Sequence, residues 1–200
     1  MKSPEIEPHV KALIFDMDGT LLNTITVHYQ AWETTCAKYG IAVTKEYFYN
    51  LTGRPILEIG RQIVHDFQVS VSPELIVAEK EALVKSNNQP IELIEPIVQL
   101  VYNYTGILPM AIGTGSDREK ALDMLNKAGL LAYFDCIVSA DDVVNHKPHP
   151  ETFLRCAEQM GIDPQYCQVF EDGQAGLTAA QSAGMMATDV KPFYTKPVWN

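Results

Sequence analysis

Four cysteines in 200 residues, Cys36, Cys136, Cys156 and Cys167, are too scattered to form a CxxC pair or a metal-binding cluster. Thiols spaced this way fit a reducing compartment rather than a disulfide framework. Cations are also scarce: 15 Lys and Arg against 25 Asp and Glu leave a net charge of −10. A nucleic-acid partner needs a basic footprint, so that class is excluded. A small anionic ligand is not, because one well-placed cation or helix N-terminus reverses the field locally. No apolar run approaches the ~18 residues of a membrane span. The opening residues, MKSPEIEPHV, carry acids and prolines where a secretory signal has an apolar stretch. The expectation is a cytoplasmic monomer without a membrane partner. Internal repeats and low-complexity segments are absent as well.

What the chain does have is a series of short apolar runs: ALIF at 12–15, ILPMAI at 107–112, CIV at 136–138, CQVF at 167–170 and MMATDV at 185–190. None alternates strictly between apolar and polar, which suits strands buried on both faces of a parallel sheet. Helical patterns lie between them, over 117–128, 150–160 and 174–183, each stopped by a glycine. Strands alternating with helices predict an α/β fold with right-handed crossovers. The interval between the first two strands is too long for one crossover. Its stretches TVHYQAWETTCAKYG, PILEIGRQIVHDF and PELIVAEKEALVKS read as helices, the last with Ser72 as N-cap and Pro73 at N1. Residues 1–24 and 91–200 are thus expected to form the core, and residues 25–90 a helical lid inserted after the first strand.

In a parallel sheet, ligands gather beyond the carboxyl ends of the strands. Asp16 and Asp18 stand at the end of the first strand, in LIFDMDGTLLNT. A polar turn is the plain reading, since Asp and Gly favour turns. The chemical reading gives the two carboxylates different tasks. Asp16 can attack an electrophilic phosphorus, and Asp18 can protonate the departing alcohol and then deprotonate a water. Thr114, in IGTGS, offers a hydroxyl and neighbouring amides at a helix start. Ser116 reads equally well as a cap, because SDRE spells a capping box with Glu119 reaching back. Lys147, in NHKPHP, is a candidate counter-charge for a phosphoryl group. Glu171 and Asp172 fit a solvated strand end, or, beside Asp16, an oxygen-rich Mg²⁺ site. His28 and Trp32, one helical turn apart, are candidates to line the entrance, with core packing the favoured reading for Trp32 and an equal alternative for His28.

The motifs DMDGT, IGTGS, HKP and FEDGQAG, in that order, resemble those of the haloacid dehalogenase-like hydrolases, from about Lys11 to Val190. The helical block resembles the small cap of the β-phosphoglucomutase-like branch. Within it, GTGS, NHKPHPETFLRCAEQMG and VFEDGQAG look most like bacterial sugar-phosphate phosphatases of the fructose-1-phosphatase type. The resemblance implies a Rossmann-like core, a Mg²⁺ cofactor, a phosphoaspartate intermediate and a small phosphorylated metabolite as substrate. By motif, Asp16 would be the nucleophile and Asp18 the acid/base. Thr114 and Lys147 would hold the phosphoryl group, with Gly115, Ser116 and His28 contacting substrate. Asp16, the Asp18 backbone carbonyl and Asp172 would ligate the metal, with Glu171 in its outer sphere.

Two positions depart from that pattern. Asn23 replaces the usual Asp and is expected to serve as an N-cap. The cap arginine that mutases carry three residues beyond a glycine is missing after Gly53, where Arg54, Pro55 and Ile56 follow. A mutase must hold a bisphosphate and turn it round, so phosphatase is the expected activity, with mutase the alternative. A phospho-acceptor signalling domain also uses a strand-end Asp, Mg²⁺, Thr and Lys, but it needs neither a lid nor Asp18. A non-catalytic sugar-phosphate sensor is a further alternative, since fold does not fix function.

Overall fold

The computed structural model describes residues 3–51, 54–87 and 91–194. Gly53, on which the mutase comparison turned, lies outside them, as does the tail after Tyr194. In chain order the elements are β1 (Ala12–Phe15), α1 (Ile25–Ala37), α2 (Lys45–Tyr49), α3 (Ile56–Phe67), α4 (Pro73–Ser86), α5 (Glu95–Tyr104), β2 (Met110–Gly113), α6 (Arg118–Lys127), β3 (Cys136–Val138), α7 (Glu151–Met160), β4 (Cys167–Glu171), α8 (Gln174–Ser182) and β5 (Met186–Asp189). The described residues up to Asn23 and from Ile91 form one compact unit, and those from Thr24 to Asn87 another.

The first unit is a sheet with strand order β3-β2-β1-β4-β5, all pairs parallel. β1 is central, and its four residues are all fully buried. Its side chains alternate between two apolar clusters. Leu13 and Phe15 join Ile97, Val101, Ala121 and Leu125 of α5 and α6 on one face. Ala12 and Ile14 join Phe153, Cys156, Ala179 and Ala180 of α7 and α8 on the other. Each fully buried side chain of Leu, Ile or Phe size contributes ~1.5–3 kcal/mol relative to exposure, so this layering is the main support of the sheet. Phe15 and Phe170 stack across β1 and β4 with ring centroids 5.0 Å apart, directly beneath the strand ends. The run expected as a strand from residue 107 pairs only from Met110, because Ile107 belongs to an exposed turn.

The second unit holds α1 to α4 around Trp32, Cys36, Phe48, Ile59, Ile63 and Ile76, all buried. Ser72 caps α4 as its sequence indicates, accepting from the Leu75 amide at 3.1 Å. Trp32 is 1% exposed, in this core, as the core-packing reading expects. Asn23 does not cap α1. Thr24 stands at that position, and the Asn23 amide side chain instead donates to Glu92 Oε2 at 2.9 Å. No described helix is long and apolar enough to cross a membrane.

Candidate active site

The strand order reverses at β1: the chain steps outward to β2 and β3, then returns to place β4 on the other side. That topological switch opens a crevice beyond the strand ends, where ligands bind in this architecture. Asp16 immediately follows β1, and its amide donates to the Phe170 carbonyl at 3.0 Å, carrying the ladder one residue past the strand. Glu171 and Asp172 end the neighbouring β4. Three carboxylates separated by 155 residues in sequence are thereby set side by side, with one oxygen of each within 4.8 Å of the others.

Lys147 supplies the cation. Its Nζ donates to Asp16 Oδ1 at 2.7 Å, to Glu171 Oε2 at 2.7 Å and to the Gly113 carbonyl at 2.9 Å. All three ammonium protons are thereby used. The side chain is 9% exposed and its ammonium lies 4.6 Å from the Phe153 ring centre. Burial works to lower the Lys147 pKa, yet the charges of Asp16 and Glu171 outweigh it and hold the ammonium above its ordinary value. One cation does not balance three carboxylates. Burial, reinforced by Glu171, pushes Asp16 up to about 7 against the pull of Lys147. Burial, then Glu171 and Asp16, also raise Asp172.

The turn after β1 closes tightly, with the Leu21 and Leu22 amides both donating to the Met17 carbonyl. Gly19 sits there at φ 87, and a Cβ on it would lie 2.5 Å from Asp172 Oδ2. Only glycine serves both demands. Thr20 is fully buried, with its hydroxyl 3.4 Å from Asp172 Oδ1. Asp18 is half-buried and its Oδ2 accepts the Ser116 hydroxyl at 2.8 Å. Of the two readings of Ser116 the capping box is absent: Asp117 is the N-cap of α6, accepting from the Lys120 amide at 2.8 Å, while Ser116 turns toward Asp18. Thr114 is buried behind β2, and its Oγ1 accepts from the Ser116 amide at 3.1 Å. Gly115 between them is exposed, with nothing within 4 Å of where a side chain would start.

His28 belongs to the second unit, where its Nδ1 lies 2.6 Å from the buried Lys80 ammonium. The sequence reading leaves out Lys80, which has its chain neighbour Glu81 at 2.6 Å and Trp32, brought from α1 by helix packing, at 5.8 Å.

Gly176 was also missed, although it lies inside FEDGQAG. A Cβ there would fall 1.9 Å from Glu171 Oε2 and 2.1 Å from its Cδ, so α8 packs directly on the side chain that braces Lys147. The available signal was a glycine in a helix interior, which costs ~1 kcal/mol relative to alanine and asks for a packing reason. Gly176→Ala should therefore invert the usual helix preference and destabilise the protein by ~1–3 kcal/mol. Urea unfolding measures this; a midpoint at or above the wild-type value would mean that Glu171 has another place to lie.

A divalent cation fits the cluster chemically. The donors are carboxylate oxygens, the set a hard ion such as Mg²⁺ prefers. Three carboxylates and one ammonium leave a formal charge of −2 that such an ion would cancel. Glu171 is already committed, its Oε1 to the Gly173 amide at 2.9 Å and its Oε2 to Lys147. Asp16 and Asp172 are the pair with capacity to ligate.

Comparison with known proteins gives the family. The haloacid dehalogenase-like hydrolase family matches residues 13–190. Fructose-1-phosphate phosphatase YqaB of Escherichia coli (strain K12) is 41% identical over 181 residues, covering 90% of this chain and 95% of that protein. A phosphorylated carbohydrates phosphatase of Thermotoga maritima is 31% identical, covering 88% of this chain and 82% of its own. Among solved structures, β-phosphoglucomutase from Clostridium difficile superposes with a TM-score of 0.76 at 27% identity, covering 90% of this chain and 84% of that one. By family match, fold and the grouping of motif residues at the strand ends, the chain belongs to the haloacid dehalogenase-like hydrolases.

Proposed function

We propose that this hydrolase is a Mg²⁺-dependent phosphatase that cleaves a small sugar phosphate of the fructose 1-phosphate kind through an aspartyl-phosphate on Asp16. The observation that carries the reading is Asp16 itself: buried at the switch point, with Oδ1 fixed by Lys147 so that Oδ2 is the attacking atom. Oδ2 would form a bond to phosphorus as the ester oxygen leaves. Asp18 would give that oxygen a proton, then take one from the water that attacks the phosphoaspartate and releases inorganic phosphate. Thr114 and Lys147 would hold the phosphoryl oxygens, with the Gly115 and Ser116 amides beside them. Asp16, the Asp18 carbonyl and Asp172 would ligate Mg²⁺, which when bound supplies the positive charge that lets an anionic ester approach. Glu171 would stay in its outer sphere. The helical unit would serve as the cap, with His28 among its substrate contacts.

The substrate class rests on the 41% identity to the Escherichia coli fructose-1-phosphate phosphatase. The deciding measurement is product analysis with fructose 1-phosphate and with β-glucose 1-phosphate plus bisphosphate primer. Stoichiometric free phosphate supports the phosphatase. Glucose 6-phosphate accumulating without phosphate release assigns a mutase.

The metal assignment also predicts a pH dependence. The Asp16 carboxyl, raised to about 7, must lose its proton to become a ligand. Protons and Mg²⁺ therefore compete below that pH, and apparent Mg²⁺ affinity should fall about tenfold per pH unit for each proton displaced. Calorimetric titration at pH 6 and pH 8 tests this; equal affinities would remove Asp16 from the ligand set.

A further inference from the structure

The segment after β5 reaches back to the turn that carries Asp18. Val190 is fully buried and its amide donates to the Glu171 carbonyl at 3.0 Å, so the segment hangs from the residue that braces Lys147. One 3₁₀ turn, Lys191–Phe193, then reverses the chain. The Phe193 and Tyr194 amides close that turn on the Val190 and Lys191 carbonyls. Phe193 and Tyr194 pack on the apolar cluster beneath β1, and the Tyr194 hydroxyl donates to the Gly19 carbonyl.

That carbonyl is the acceptor of a buried residue at φ 87, in a turn whose Gly19, Leu21 and Leu22 amides already bond within it. A buried carbonyl left without a donor is costly, so the hydroxyl fixes the orientation of the Gly19–Thr20 peptide, one residue beyond Asp18. The Asp18 side chain is held at its other end by Ser116. From this geometry we infer that Tyr194 is a positioning residue: it sets the Gly19–Thr20 peptide, and through the tight turn that Gly19 closes it sets the direction of the Asp18 carboxyl toward the leaving-group oxygen. The inference rests on the phosphatase reading above and adds to it a dependence of proton delivery on the segment that follows β5.

The test is Tyr194→Phe, which keeps the packed ring and removes only the hydroxyl. Two esters are compared by kcat/KM with saturating Mg²⁺: a sugar phosphate, whose alkoxide needs a proton, and p-nitrophenyl phosphate, whose phenolate does not. The variant should lose on the order of ten- to a hundred-fold on the sugar phosphate and stay within about twofold on the aryl ester. Its thermal midpoint is recorded alongside. Parallel losses on both esters would mean a general structural effect and overturn the assignment, and wild-type rates on both would do the same. Wild-type protein inactive on both esters would overturn the phosphatase reading and this inference with it.

Discussion

Asp16→Asn is expected to remove turnover of every phosphate ester, by at least about 10³-fold, because no other group takes over from a lost nucleophile. The side chain stands at the switch point with one oxygen 2.7 Å from Lys147, and an amide oxygen can accept that same bond. Geometry is kept; nucleophilicity is not. The fold should survive. Burial raises the Asp16 carboxyl to about 7, so the folded state binds its proton more tightly than the unfolded chain does. That linkage makes metal-free protein lose stability as pH rises from the ordinary carboxylate range to about 7, and removing the charge removes the loss. In EDTA at pH 8, the variant should therefore melt no lower than wild type while being inactive. A variant with near wild-type turnover would eliminate the covalent route. One that fails to fold would mean that the Lys147 pairing outweighs the burial of charge.

The parts of the molecule legible in the sequence are those fixed by short-range physics. ALIF at 12–15 is a strand in full, since four apolar residues on a central strand need no partner information to be read as buried. Ser72 and Pro73 set the start of α4, and the helix runs from Pro73 to Ser86 as its pattern indicates. The convergence of Asp16, Lys147, Glu171 and Asp172 was also foreseeable, because a parallel sheet sends every strand end to one edge. What was illegible depends on partners far away in sequence. Ser116 and Asp117 are both good caps, and Ser116 is taken out of that role by Asp18, 98 residues away. Gly176 reads as an indifferent helix glycine until Glu171 is seen lying where its Cβ would be. Asn23 reads as a cap, but its amide goes to Glu92. The substitution is hence a change in the clasp between residues 23 and 92, not in α1.

Asp18→Asn should slow a sugar phosphate by ~10²–10⁴-fold in kcat/KM while leaving an aryl phosphate much less affected. The reasoning begins with position. Asp18 is half-buried, two residues beyond Asp16, and its carboxylate lies outside the Asp16–Glu171–Asp172 cluster because Ser116 holds its Oδ2 at 2.8 Å. An asparagine amide fits the same space and can accept from Ser116 through its oxygen, so metal and phosphate binding should persist. What it cannot do is give up a proton. An alkoxide leaving from a sugar phosphate is a strong base and departs slowly unprotonated, whereas p-nitrophenolate needs no acid. The ratio of the two losses isolates proton delivery from everything else the substitution changes. The second half-reaction adds a further sign. In the proposed route the water attacking a phosphoaspartate must lose a proton, so Asp18→Asn should trap the phosphorylated protein with the aryl ester. A burst of nitrophenolate approaching one equivalent per chain, followed by a slow steady state, is the expected trace. Equal losses on both esters, with no burst, would take the acid/base role away from Asp18.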